Sequence, residues 1–266
     1  MVVASPSPAR RRCVLVTGGA RRIGRSIAVE LARAGFDIAL HYRQSHDDAL
    51  AACREAEALG VRAAAFLADL ADDAACEALV PQVLEHFGRL DAIVNNASSF
   101  DYDDVASFSR AALHRHIATN TAPAVLLARA LHRHLVATGG DTGVVVNLLD
   151  QKLANPNPDY FSYTLSKAAL DAATTLLALA LAPTLRVAAV APGVTLPSGA
   201  MSEPEFARAH AMTPMQRGAT QDDIARAVRF IIESPAISGT TLYVDGGQHL
   251  AKQPRDVLLA ARGVPE

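Results

Sequence analysis

Tyr163 and Lys167 stand four residues apart in the segment Tyr163-Thr164-Leu165-Ser166-Lys167. On a helix that spacing puts both side chains on one face. An ammonium beside a phenol favours the phenolate and draws the tyrosine pKa down toward neutrality. Such a tyrosine serves as general acid to a carbonyl or imine that accepts a hydride. The same spacing also describes a solvated helix face, so the meaning of the pair depends on what surrounds it.

A second group of residues suits phosphate. The apolar run Cys13 to Thr17 leads into Thr17-Gly18-Gly19-Ala20-Arg21-Arg22-Ile23-Gly24. A glycine-rich turn between a strand and a helix lets backbone N–H groups approach a pyrophosphate, and the helix N-terminus adds favourable partial charge. The next apolar run ends in Leu40-His41-Tyr42-Arg43-Gln44-Ser45, with no carboxylate before Asp47. Rossmann proteins selective for NAD place an acid there to bind the ribose 2′-hydroxyl. Arg43, with Ser45 and His41 as further donors, suits a 2′-phosphate instead, which points to NADPH. Asp69, in Ala68-Asp69-Leu70, reads by itself as a helix cap.

The elements that must position these groups alternate from end to end. Strands are expected at Cys13 to Thr17, Asp37 to Tyr42, Val61 to Leu67, Asp91 to Val94, Gly143 to Leu148, Arg186 to Val190 and Thr240 to Val244. Helical periodicity is expected after the glycine turn (Ile23, Ile27, Leu31, Ala34), then at Ala49 to Leu59, Asp72 to Phe87, Ala111 to Thr138, Phe161 to Leu181 and Ile224 to Glu233. Glycines at 35, 60, 88, 139 and 140 and Pro183 follow the helical stretches. The fold class is therefore α/β: a single-domain Rossmann fold, a doubly wound parallel sheet of about seven strands with helices on both faces. The expected division is a tail over residues 1–10, the domain over 11–250 with a substrate loop at about 195–220, and a C-terminal tail over 251–266. Loops as long as 195–220 are often lids.

These residues resemble those of the short-chain dehydrogenase/reductase family over Val14 to Gly247. The glycine turn is similar to the family's T-G-x-x-x-G-x-G, with Arg22 at the middle glycine. Asn95-Asn96-Ala97, Asn120, Pro192-Gly193 and Val244-Asp245-Gly246-Gly247 match further family segments. The resemblance implies that Gly18, Arg21, Arg22, Ile23, Gly24, Asp69 (at the adenine), Leu70, Asn96, Ala97, Ser98, Pro192 and Gly193 bind the cofactor together with Tyr163 and Lys167. It implies that Asn120 serves a proton relay. Family members carry serine thirteen residues before the tyrosine, where this chain has Asp150. A carboxyl group there suits a substrate with N–H donors, or a proton relay to a ring nitrogen.

That departure looks like pteridine reductases, which are also similar at Arg22, at His41-Tyr42-Arg43-Gln44-Ser45 and at Asn95-Asn96-Ala97-Ser98-Ser99-Phe100. The resemblance implies that Phe100 stacks a pterin, with Ser98 and Arg22 at the pterin edge. It implies reduction of a dihydropterin or dihydrofolate by NADPH, with Tyr163, Lys167, Asp150 and Asn120 as the catalytic set. A carbonyl or ketoacyl reductase is the second reading, and a non-catalytic NADPH-binding sensor the third. Residues Gln151 to Phe161 and Thr195 to Arg217 resemble no particular substrate class.

Composition bounds the partners. The 266 residues carry 25 basic and 27 acidic side chains, a net charge of −2, so the basic surplus of a nucleic-acid binder is missing. Arg10, Arg11 and Arg12 read as a solvated approach to the first strand. Three cysteines without C-x-x-C spacing argue against a zinc site or a disulfide framework, so no metal is expected and a reducing, cytoplasmic setting is. No run of 18 uninterrupted apolar residues occurs, and the longest apolar stretch, Leu176 to Ala191, is broken by Pro183 and Arg186. No membrane or nucleic-acid partner is expected, only a small heterocyclic or carbonyl substrate. The resemblance further implies a homotetramer built on the two long helices.

Overall fold

The computed structural model describes residues 11–139, 142–197 and 201–263. The tail expected at residues 1–10, Gly140, residues 198–200 of the expected substrate loop and residues 264–266 of the expected C-terminal tail lie outside the described residues.

Seven strands form one sheet: β1 (Cys13–Val16), β2 (Asp37–Tyr42), β3 (Ala63–Leu67), β4 (Ala92–Asn95), β5 (Gly143–Leu148), β6 (Leu185–Pro192) and β7 (Thr241–Val244). Their order is β3-β2-β1-β4-β5-β6-β7, and every pairing is parallel. The helices are α1 (Arg22–Arg33), α2 (His46–Glu57), α3 (Asp73–Phe87), α4 (Arg110–Asn120), α5 (Ala122–Thr138), α6 (Phe161–Leu181), α7 (Glu203–Ala211), α8 (Gln221–Glu233) and α9 (Val257–Ala261). The chain is thus α/β with a Rossmann fold.

The inner strands are mostly apolar because helices cover both faces, with Asn95 and Asn147 bonded to each other inside the sheet. Alternate residues of one strand go to opposite layers. Val14 and Val16 join Ile27, Leu31 and Val228 on one side of the sheet, while Cys13 and Leu15 join Leu79, Val83 and Leu131 on the other. Side chains of this kind, fully withdrawn from water, contribute about 1.5–3 kcal/mol each. The strand order reverses direction between β1 and β4, and ligands of open α/β sheets bind in the crevice at such a switch point.

Three expectations are corrected. The helix read over Ala111 to Thr138 is two helices meeting at Thr121. Pro123 stands in the first turn of α5, where it lacks an N–H and its ring would clash with the carbonyl four residues back in a continuous helix. The loop expected at 195–220 contains α7, which a capping box of Ser202 and Glu205 starts. The segment read as a C-terminal tail contains α9, whose Leu258 and Ala261 are buried against Met201 and Ala209.

Candidate active site

The carboxyl ends of β1 and β4 are tied together by the side chains that flank the glycine turn. Thr17 Oγ1 accepts the N–H groups of Asn96 at 2.9 Å and Ala97 at 3.0 Å. The Asn96 amide donates back to the carbonyls of Thr17 and Gly18, at 2.9 and 3.1 Å. Gly24 admits no side chain: a Cβ there would sit 2.2 Å from the Gly18 carbonyl oxygen. Arg22 adopts φ 53°, a left-handed conformation that favours glycine, and its guanidinium donates to the Pro197 carbonyl across the cleft at 3.0 Å.

His41 is buried beneath this turn. Its Nδ1 accepts from the Gly18 N–H at 3.1 Å, which leaves Nε2 to donate to the Ala68 carbonyl at 3.1 Å. Burial lowers its pKa and keeps the ring neutral. The donor role expected of His41 toward a 2′-phosphate is therefore corrected: both ring nitrogens are engaged in bracing the turn.

The turn opens on a cleft of about 360 Å³ bordered by Arg21, Arg43, Asp69, Leu70 and Ala97, and by Thr119, which the sequence did not single out. The first turn of α1 has no side-chain cap and no acidic residue, so its N–H groups face the cleft without a resident anion. Arg43 is exposed. Arg21 bonds the Ser45 hydroxyl and lies 3.3 Å from the Asp48 carboxylate. Uncapped N–H groups with two guanidinium groups form a donor set for phosphates, and they fit a phosphorylated dinucleotide.

Arg22, Ile23, Asn96 and Ser98 also border a second cleft of about 310 Å³, so the two are continuous. Tyr163, Lys167, Asp150, Pro192 and Gly193 line this second cleft. The Tyr163 hydroxyl donates to Asp150 Oδ2 at 2.8 Å. The Lys167 ammonium donates to the Leu148 carbonyl at 2.7 Å and lies 5.7 Å from the Tyr163 ring centre. Burial and the Asp150 carboxylate push the Tyr163 pKa well above the ordinary phenol value. The expected acidified tyrosine is therefore corrected: Lys167 gives one of its donors to a backbone carbonyl and lies off the phenol ring, and the tyrosine proton is held by a carboxylate. Burial also raises the Asp150 pKa and lowers that of Lys167 to about 8.

Asn120 ends α4 as a brace. Its amide donates to the Ser99 carbonyl at 3.1 Å and the Ser166 hydroxyl at 2.9 Å, and accepts the Ser99 N–H at 2.7 Å. These bonds tie the segment after β4 to α6.

Phe100 is half-exposed at the cleft. It stacks on Tyr160 with ring centres 4.1 Å apart and meets the edge of Tyr163 at 4.6 Å. One face of the ring thus already has an aromatic partner. Lys152, Gln248 and the C-terminal residues Gln253, Asp256 and Val257 also border this cleft. None carried a sequence signal; for Gln248, Gln253, Asp256 and Val257 the approach depends on where the chain returns after β7.

The family model described as enoyl-(acyl carrier protein) reductase matches residues 18–249, from the glycine turn to the segment beyond β7. The chain belongs to the short-chain dehydrogenase/reductase family. It is an oxidoreductase. Among solved structures it is similar to the alternative dihydrofolate reductase 1 FolM of Brucella canis complexed with NADP, at 40% identity and TM-score 0.86, covering 93% of this chain and 98% of that one. The Brucella suis enzyme, also in complex with NADP, shows 41% identity and TM-score 0.83 over 90% of this chain and 96% of that one. The 3-oxoacyl-[acyl-carrier-protein] reductase FabG of Staphylococcus aureus is 32% identical over 255 residues, 90% of this chain and 98% of the relative.

As a short-chain reductase fold, the chain gathers Arg22, Ser98, Phe100, Asp150, Tyr163 and Lys167 along one cleft wall. Ser98 is exposed there and bonds only the Ser99 carbonyl, at 3.2 Å, among the described residues. Asp69 faces the other end of the trench and accepts the Ala71 N–H at 3.0 Å. Ser45 lies beside Arg21 at the start of α2.

Proposed function

We propose that this short-chain reductase uses NADPH to reduce a C=N bond of a dihydropterin, dihydrofolate or related heterocycle. The observation that carries the reading is Asp150, standing where the family has serine and bonded at 2.8 Å to the Tyr163 hydroxyl. A carboxyl group supports protonation of a ring nitrogen and pairs with N–H donors of a heterocycle, whereas serine suits a carbonyl oxygen. The likeness to FolM enzymes at 40–41% identity supports the same reading.

Arg21, Arg43 and Ser45 would hold the 2′-phosphate, the N-terminus of α1 the pyrophosphate, and Pro192, Gly193 and Lys167 the nicotinamide end. When bound, NADPH supplies the hydride to carbon. The matching proton comes from this chain: Tyr163 donates it at Oη and draws a replacement from protonated Asp150. Asn96 and Asn120 keep the two ends of the trench in register. Phe100, backed by Tyr160, presents its remaining aromatic surface to a flat ring. Three buried free cysteines suit a reducing, cytoplasmic compartment. The exposed Leu165, Leu176 and Leu179 of α6 suit assembly into a homotetramer.

A ketoacyl or carbonyl reductase is the second reading, favoured by the FabG relatives. Oxidation of NADPH by purified protein, followed with dihydropterin, dihydrofolate and a panel of ketones, separates the two. Turnover of the heterocycles is expected. Turnover of ketones alone would overturn the reading.

A further inference from the structure

One buried cation is unused by this chemistry. Lys152 lies two residues after Asp150, is 4% exposed, and borders the reaction end of the cleft. Its ammonium donates to the Asp159 carbonyl at 2.5 Å and lies 3.3 Å from the Asp256 carboxylate. The Tyr160 ring centre is 5.4 Å away. Its backbone N–H donates to Asp150 Oδ1 at 2.8 Å, while Tyr163 holds Oδ2.

Asp256 comes from the segment after β7 and is fixed there. The Asp159 carboxylate accepts the Asp256 N–H at 2.7 Å and the Arg255 guanidinium in two bonds of 2.9 Å. Withdrawing a lysine from water is expensive unless it is paired. An apolar residue would fill the same space without that cost, so packing alone does not account for a lysine here. What the ammonium adds is a positive charge next to the proton-carrying carboxyl group.

We propose that Lys152 and Asp256 are positioning residues, an opposed charge pair that sets the proton affinity of Asp150, so that the chain's own C-terminal segment completes the proton-delivery apparatus. The inference rests on Asp150 and Tyr163 forming the proton path of the preceding section.

The charges facing Asp150 are few. Tyr163 and Lys167 come from α6, Lys152 from the turn after β5, and Asp256 from the C-terminal segment. Asp159 and Arg255 face Lys152 and Asp256 rather than Asp150 itself. Lys152 favours the carboxylate form of Asp150, and Asp256 disfavours it. Removing each charge must therefore move the carboxyl titration in opposite directions. Lys152→Met lets Asp150 keep its proton to higher pH, and Asp256→Asn makes it release the proton at lower pH. Lys152→Arg keeps the charge and restores wild-type behaviour.

An infrared titration of the full chain tests this without turnover. It follows the carboxylic acid band of Asp150, assigned by its loss in Asp150→Asn. Opposite shifts of the midpoint in Lys152→Met and Asp256→Asn are expected, with Lys152→Arg near wild type. In dihydropterin reduction, the pH at which kcat falls is expected to shift in the same two directions. Lys152→Met is expected to hold its low-pH kcat to higher pH than wild type, with KM for NADPH unchanged. Unmoved midpoints, or midpoints moving the same way in both variants, overturn the proposal. If Lys152→Met does not fold, Asp256→Asn decides alone, by a downward shift or none. Opposed infrared shifts without heterocycle turnover would leave this inference standing and remove the proposed substrate. Turnover without those shifts would do the reverse.

Discussion

A buried phenol hydrogen-bonded to a carboxylate is a weak acid by itself. Its proton becomes useful only when the carboxyl group behind it is also protonated, and burial raises the Asp150 pKa in that direction. The 2.8 Å bond links the proton of one group to the charge of the other. Asp150→Ser is expected to abolish most heterocycle reduction while preserving or raising activity on ketones, measured as the ratio of kcat/KM values for the two classes. Lys167 brings a separate dependence. Burial lowers its pKa to about 8, so the ammonium is present below that value and is lost as pH rises through it. Affinity for NADPH, read by calorimetry on either side of that pH, is expected to decline on the alkaline side. Tyr163 and Lys167 were legible in the sequence because one helix fixes their spacing, and Asp150 was legible through the resemblance, as the residue at the family's serine position. The direction of the Tyr163 shift was not. Four-residue spacing makes two side chains neighbours, but it does not reveal that a backbone carbonyl holds the ammonium.

At the scale of elements, strand and helix existence was legible wherever apolar period and glycine punctuation agreed, as at β2, β5 and α6. The break at Thr121 was missed although Pro123 stood in plain view, because apolar residues continue past it on both sides. α7 was missed because a nine-residue helix with one buried residue, Ala209, carries little periodic signal. The end of β2 shows both outcomes at once. The missing acid and Arg43 were read from residue type, whereas the enclosure of His41 depends on the carbonyl of Ala68 beyond β3. Arg43→Ala is expected to weaken NADPH binding roughly ten- to a hundredfold, the loss of a charge-assisted bond worth about 1.5–3 kcal/mol. NADH binding should stay within about twofold. Equal losses for both coenzymes would move the 2′-phosphate elsewhere.

Across the whole molecule, the sheet order puts the phosphate-binding turn and the reaction end on either side of one crevice, and the chain after β7 returns to wall it. Alternation gave the parallel sheet and its covering helices; the order of the strands comes from the fold. The return of the chain rests on ion pairs between residues about a hundred positions apart, such as Asp159 with Arg255, which no local pattern announces. α9 holds that return by burying Leu258 against Met201 and Ala209. Leu258→Ala is expected to cost about 2 kcal/mol in that small cluster. It should lower kcat roughly tenfold and leave affinity for NADPH unchanged, since the phosphate end lies beyond its reach. Differential loss of kcat and coenzyme binding in one preparation checks this.

The return of residues 251–257 to the cleft has a consequence for biosynthesis. In the order of translation this wall follows every other part of the site. A nascent chain can fold its nucleotide cradle and hold a coenzyme while the place for the second reactant still lacks one side. Reducing power would then be bound before anything can draw on it.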